Sequence, residues 1–219
     1  TVALYAENVL SLTPQFSAVL GLRAERASRQ TRDNFLSNGD QSDERTYSPV
    51  SPKVGFIYSL RSGNSQIFGN ASRSYEPPLL LELNSVTVPG YIDLDGQSAW
   101  QYELGARGRK VGLTWDVSAY DVELKNEILN INVQPFPGAP ITVPTYRNAP
   151  KTRHAGLEAG LSYQLPGAVF VRGDVADHLS LRTSYTLARY KYVSDPNYEG
   201  NDIPGAPRQV MTTELKYTH

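Results

Sequence analysis

Groups able to supply a nucleophile, a mobile proton or a soft metal ligand are scarce in this chain, which has three histidines, at 154, 178 and 219, no cysteine and one methionine. Asp177, His178 and Ser180 form the one short stretch holding an acid, a base and a hydroxyl together. Their place beside a chain reversal fits a turn-flanking histidine better than the base of a nucleophile. None of the histidines has a second histidine or a carboxylate at metal-motif spacing. His-Glu-x-x-His, Gly-x-Ser-x-Gly and phosphate-loop patterns are all missing. The expectation is a non-enzyme with no catalytic residue, no resident cofactor and no metal site of its own.

The remaining polar chemistry is spread along strand-like runs. In 177–192, Leu179, Leu181, Thr183, Tyr185 and Leu187 share one face, while Ser180, Arg182, Ser184 and Thr186 share the other. The same alternation sets Phe16, Ala18, Leu20 and Leu22 against Ser17, Gly21, Arg23 and Glu25. It sets Tyr102, Leu104 and Ala106 against Glu103, Gly105 and Arg107, and Leu157, Ala159 and Leu161 against Glu158, Gly160 and Ser162. Val111, Leu113, Trp115 and Val117 likewise oppose Gly112, Thr114, Asp116 and Ser118. One face is apolar throughout; the other carries both signs of charge, so Arg23, Arg107 and Arg182 are expected to pair with Glu103, Glu158 or Glu214 across strands.

Nine strands are expected, at about 2–12, 16–31, 48–60, 65–75, 98–107, 111–131, 146–163, 177–192 and 207–219. Short and long gaps alternate between them. The tight joints are Thr13-Pro14-Gln15, Arg61-Ser62-Gly63-Asn64 and Arg107-Gly108-Arg109-Lys110; the long gaps are about 31–47, 76–97, 132–145 and 193–206. A barrel with short turns on one rim and long loops on the other produces this pattern. Runs such as 16–31 and 111–131 exceed the roughly five or six residues of a globular strand and cover the roughly 9–11 that cross a bilayer. That length favours a membrane barrel over a soluble all-β binding module, which would alternate in the same way.

Composition agrees. Mean hydropathy is −0.40 and no run approaches the roughly 20 apolar residues of a membrane helix, which excludes helical spans but not β-strands. A net charge of −1 argues against a nucleic-acid surface, and fourteen tyrosines suit wet boundaries. Bacterial single-chain barrels have an even number of strands, nine open strands would leave two unpaired edges, and Thr1 is neither a Met nor followed by a signal peptide. The fold expected is therefore all-β, an antiparallel transmembrane β-barrel of which residues 1–219 are an incomplete piece.

Four segments go beyond pattern. Glu103-Leu104-Gly105-Ala106-Arg107-Gly108 resembles the "E-x-G-x-[KR]-G" strand opening of TonB-dependent outer-membrane receptors. Ser72-Arg73-Ser74-Tyr75-Glu76-Pro77-Pro78 with Leu81-Glu82-Leu83 is similar to that family's "S-x-x-[FY]-x-x-P…L-x-E-L" stretch. Tyr146-Arg147-Asn148-Ala149 with Gly156-Leu157-Glu158 resembles its "Y-x-N-A…G-x-E" strand, and Gly200-Asn201-Asp202-Ile203-Pro204-Gly205-Ala206-Pro207 its "G-N-x-[IL]-P-x-x-P" entry. They occur in family order, and the resemblance covers nearly the whole chain.

The resemblance implies a larger barrel of about 22 strands with a plug inside it. The N-terminal plug domain and the remaining strands would lie outside this chain. It also implies active import across the outer membrane of a Gram-negative bacterium, most often of a ferric siderophore, energised by TonB and its inner-membrane complex. Haem, cobalamin or carbohydrate uptake, or a passive porin, are the alternatives. Partners would be the ferric chelate, TonB acting through the missing N-terminal region, and outer-membrane lipid, with the barrel monomeric and iron present only in the transported chelate. Ligand contacts are expected from the long loops, at Arg45, Tyr47, Tyr75, Tyr91, Tyr146, Arg147, Tyr190, Tyr192 and Tyr198. Arg23, Glu103, Arg107, Glu158 and Arg182 would face the plug, with Gly105, Gly112 and Gly160 leaving space on that side.

Overall fold

A computed structural model describes residues 1–60, 63–84, 90–165, 169–170 and 177–218. Ten strands form a single antiparallel sheet: β1 (Val2–Ser11), β2 (Phe16–Thr31), β3 (Asp43–Tyr47), β4 (Val50–Ser59), β5 (Ser65–Glu76), β6 (Gln97–Lys110), β7 (Leu113–Val133), β8 (Val143–Gln164), β9 (His178–Ser194) and β10 (Gln209–Thr218). Their spatial order follows the chain, with β3 set off to pair only with β2. β1 and β10 are the two edges, so the described sheet does not close on itself.

The registers preserve the two faces from strand to strand. Leu104 lies opposite Ala119, which lies opposite Leu157, which lies opposite Leu187. On the other face Asn70, Glu103 and Tyr120 follow one another, as do Ser118, Glu158 and Thr186. A slip of one residue would exchange the faces, so this long matched alternation fixes the pairing. Leu20, Leu22, Val54, Leu104, Leu157 and Leu215 are exposed along the apolar face, where a soluble sheet would need a covering layer. Near the turns the same face carries Phe16, Tyr58, Trp115 and Tyr163, an aromatic row of the kind found at a membrane boundary.

Two expectations about boundaries need correction. The segment Arg107-Gly108-Arg109-Lys110 is not a joint: β6 runs through Lys110 and the reversal falls at Val111-Gly112. Gly112 takes φ +71°, the left-handed conformation a tight turn requires, so it sits in the turn and not on the polar face. Arg61, Ser62 and His219 lie outside the described residues. The second correction is β3, which the polar run Asp43–Tyr47 concealed. It pairs with Ala27 to Thr31 of β2, above the point where β4 takes over at Ala24, and so carries a hairpin beyond the sheet.

Residues 77–84 and 90–96, between β5 and β6, fold onto this hairpin. They include a one-turn helix, α1 (Leu80–Leu83), and bury Leu83, Tyr91 and Leu94 against Ile128 of β7 and Tyr146 of β8. Arg29 donates to the Pro78 carbonyl at 3.0 Å, and the Tyr91 hydroxyl lies 2.7 Å from Thr31 Oγ1. At the far end Asn148 holds both the N–H and the C=O of Asp95, at 2.8 and 3.0 Å. The segment therefore straps the β2–β3 hairpin to the β7–β8 hairpin.

Candidate functional site

The polar face and the loop rim hold the functional candidates. On the polar face small residues let side chains lie flat across neighbouring strands. A Cβ on Gly105 would stand 2.4 Å from the Phe68 ring, one on Gly160 2.5 Å from the Asp116 carboxylate, and one on Gly156 2.5 Å from the Tyr120 hydroxyl. The space expected over Gly105 and Gly160 is thus filled by side chains of adjacent strands. Gly21 works similarly, letting Lys53 of β4 reach over β2 to Glu7 of β1 at 3.0 Å.

The cross-strand pairs expected between Arg23, Arg107 or Arg182 and Glu103, Glu158 or Glu214 do not form among the described residues. Arg23 pairs along its own strand with Glu25 at 2.6 Å. Arg107 donates to Gln66 at 3.1 Å and stacks over Phe68, because Asp116, its register partner, leans across Gly160 instead. Glu103 accepts from Asn70 at 2.8 Å. Arg182 and Glu214 are register partners without an ion pair within 4.0 Å, and Glu158 stands between Ser118 and Thr186. At Glu103 the neutral Asn70 amide supplies the hydrogen bond an arginine was expected to give.

At the loop rim the nine expected contact residues separate into several groups. Arg45 reaches Asp93 at 3.3 Å. Tyr47 and Tyr75 meet with ring centroids 6.5 Å apart, and the Tyr75 ring lies where Gly96 has no side chain. Tyr91 and Tyr146 pack in the strap's apolar cluster. Tyr190 turns to the polar face and stacks on His154 at 4.1 Å.

The richest group joins Arg147, Tyr192 and Tyr198 around Asp195, a residue not singled out from the sequence. Arg147 lies 2.9 Å from the Asp195 carboxylate, whose side chain is fully buried, and its guanidinium sits 5.8 Å over the Tyr198 ring. Tyr192 packs on Tyr198 at 5.5 Å. Burial pushes the Asp195 carboxyl up, but the N–H of Asn197 and the Arg147 guanidinium outweigh it and hold the group below the ordinary carboxylate range. Tyr91 and Tyr192 are buried and spent on packing, whereas Tyr198 is 47 % exposed. Asp195 was detectable as an Asx turn, since it begins Asp195-Pro196-Asn197 and its carboxylate accepts the N–H groups of Asn197 and Tyr198.

His178 and Ser180 lie on the polar side of β9, while Asp177 is buried and accepts the N–H groups of Val169 and Phe170. The carboxylate is engaged by these backbone N–H groups, and among the described residues no hydrogen bond joins it to the His178 imidazole.

The family described as "TonB dependent receptor-like, beta-barrel" matches residues 1–219. A search among curated proteins returns no match. Solved structures agree in fold. The chain superimposes on the copper transporter OprC with a TM-score of 0.76 at 20 % identity, covering 99 % of this chain and 32 % of that one. For the ferric yersiniabactin uptake receptor FyuA from Yersinia pestis the values are 0.70 and 20 %, with 97 % and 30 % covered. For the ferric-catecholate import receptor Fiu from E. coli they are 0.69 and 17 %, with 98 % and 31 % covered. The chain thus spans about a third of each of these proteins, and its ten-stranded sheet is the portion that superimposes. The chain belongs to the TonB-dependent receptor family, as part of its β-barrel.

Proposed function

We propose that this chain is part of the wall of an outer-membrane importer that takes up a ferric siderophore or another iron chelate and is energised by TonB. The observation that carries the reading is the family match along the whole chain, joined to a sheet whose polar face is continuous from β1 to β10. The apolar face would meet lipid. At its loop end that face becomes charged, with Arg153 and Lys151 paired to Asp121 and Glu123 and with Lys125, Arg189 and Lys191 adding an excess of positive charge that favours an anionic lipid surface. The polar face would meet a plug folded inside the closed, monomeric barrel, with TonB acting through the region N-terminal to this chain. Arg23, Glu103, Arg107, Glu158 and Arg182 would line that interface.

The loop rim supplies the chelate chemistry. Arg147 offers charge-assisted hydrogen bonds to the oxygens of an anionic chelate, and Tyr198 offers a ring face for a flat ligand. Asp195 holds Arg147 in place until ligand oxygens compete for it. Two of the similar structures are receptors for ferric complexes and one is a copper transporter.

A strain lacking the gene, grown on single iron sources, tests the proposal. Loss of growth on one chelate, restored by the gene only when TonB is present, is the expected result. Unchanged growth on every chelate, or ion conductance through the purified receptor without an energy source, would discard it in favour of a passive pore.

A further inference from the structure

Three arginines gather where the apolar face meets the loops. Registers set Asp121 of β7, Ala155 of β8 and Arg189 of β9 in one row, directly loopward of the row Ala119, Leu157 and Leu187. The next row brings Arg153 beside Lys191. Ala155 is small, and a groove of about 640 Å³ opens over it, lined by Arg153, Arg189 and Arg208 together with Leu157 and Leu187. Both leucines are exposed, and the side chains of the three arginines are 54, 65 and 71 % exposed, so a ligand can reach every one of them.

We propose that this groove holds the phosphorylated headgroup of a single lipid, with an acyl chain laid along Leu157 and Leu187. The inference rests on the reading that the apolar face meets lipid, and it adds a defined site to that face. Arg153 commits Nε and Nη2 to Asp121 at 2.8 and 2.5 Å, and Arg208 commits Nη2 to Asp202. The Arg189 Nε stands 3.9 Å from Asp202, beyond hydrogen-bond reach. Each guanidinium therefore carries more N–H donors than these contacts use.

Phosphate monoesters match the groove in charge and shape. Their oxygens form paired, charge-assisted bonds with the planar fork of a guanidinium. Asp121 and Asp202 set against the three arginines leave a net positive charge, which a phosphate dianion satisfies. A second hollow of about 440 Å³ continues the groove toward the loop, where Lys191 adds a cation and Glu199 an anion, so the excess stays with the arginines. The apolar floor selects a lipid over a free phosphate ion, since Leu157 and Leu187 gain only from being covered by an acyl chain.

The test uses the purified full-length receptor in a neutral detergent, without chelate or TonB, titrated with bis-phosphorylated lipid A and followed by native mass spectrometry. One retained lipid per receptor is expected at saturation. Phosphatidylcholine, whose phosphate is a diester beside its own cation, binds about tenfold or more weakly. Arg153→Gln and Arg189→Gln together weaken lipid A about 100-fold, about tenfold for each guanidinium lost, while the barrel keeps its heat-modifiable migration in gels. Arg189→Lys, which keeps the charge but not the fork, also weakens it, whereas Lys216→Gln on the polar face changes nothing. Millimolar inorganic phosphate leaves the lipid bound; displacement by it would show an ion site without a lipid and overturn the proposal. Equal retention of lipid A by the double glutamine variant, or of phosphatidylcholine by the unaltered receptor, overturns it as well. A receptor that stays monodisperse without detergent removes the lipid-facing reading itself, whereas one that needs detergent yet retains no lipid A removes this groove alone.

Discussion

The two rims of the sheet are held by different bonds. At the β1–β2 and β6–β7 turns the chain reverses mainly on backbone bonds: Leu12 N–H donates to Phe16 C=O at 2.9 Å, with Thr13 Oγ1 accepting from Phe16 N–H at 3.0 Å, and Gly112 C=O accepts from Gln164 N–H at 2.7 Å. At the loop rim the work is done by side chains, with Asn148 gripping Asp95, Arg147 gripping Asp195 and Arg45 gripping Asp93. Backbone bonds at a tight turn tolerate almost any sequence that can adopt the right φ, and no ligand can take them over. Side-chain bonds can be surrendered to a competitor of like charge. A rigid rim thus stands opposite one whose contacts are exchangeable, the arrangement a scaffold with a ligand-responsive mouth needs.

The turn rim should suffer most from a change of backbone preference. Gly112 combines φ +71° with a Cβ position 2.5 Å from the Gln164 carbonyl, so Gly112→Val meets both dihedral strain and a backbone clash. A loss of about 3 kcal/mol is expected in denaturant unfolding of the full-length receptor in lipid vesicles. A loss below about 0.5 kcal/mol would mean the turn rim yields as readily as the loop rim.

At the loop rim the largest effect should come from Arg147→Met, which leaves the buried Asp195 carboxylate without its cation. Opening of the segment around 195–202 should become easier by about 2 kcal/mol, read by hydrogen exchange at Asn197 and Tyr198, with little change in global unfolding. A matching global loss would show that the rim is part of the scaffold. Gly200→Ala is milder. Gly200 has φ +80° but nothing within 4 Å of its Cβ position, so only the dihedral cost of about 1 kcal/mol applies.

How far the sequence reveals each region follows from the same contrast. Spanning strands were legible because one face is apolar and the other polar at every step, as in Leu113, Trp115 and Val117 against Thr114, Asp116 and Ser118. Asp43–Tyr47 gave no such signal, since the half-buried face of β3 carries Asp43 and Arg45 beside Tyr47, so its burial alternates without an apolar-against-polar pattern. Gly108 in Arg-Gly-Arg imitated a turn, although it keeps extended backbone and makes room for Trp115. For the sites, residue types were legible and groupings were not. Arg147 meets Asp195 from 48 positions away, and Arg153 meets Asp121 from 32, distances that only the strand registers bridge.

Acid provides the finest test of the contrast, because the backbone bonds made by Leu12 at the β1–β2 turn and by Gly112 at the β6–β7 turn do not titrate near pH 4. The Asp195 carboxyl is held below its ordinary value in the folded loop, so the folded state binds its proton less readily than the opened state. Its stabilising contribution is complete above about pH 4, the range of a free carboxyl, and is lost as the pH falls through the depressed folded value. Across that interval one extra proton is taken up on opening, so the opening constant should rise by up to about tenfold per pH unit. Hydrogen exchange at Asn197 and Tyr198, corrected for its intrinsic pH dependence, should therefore accelerate on acidification, while the amides of Leu12 and Gln164 at the turns hold steady. Asp195→Asn should remove the step without removing the turn, since an Asn side-chain oxygen still accepts from both amides. Equal acid sensitivity at the two rims would show that the loop contacts share the rigidity of the turns, and the idea of an exchangeable Arg147 would fail with it.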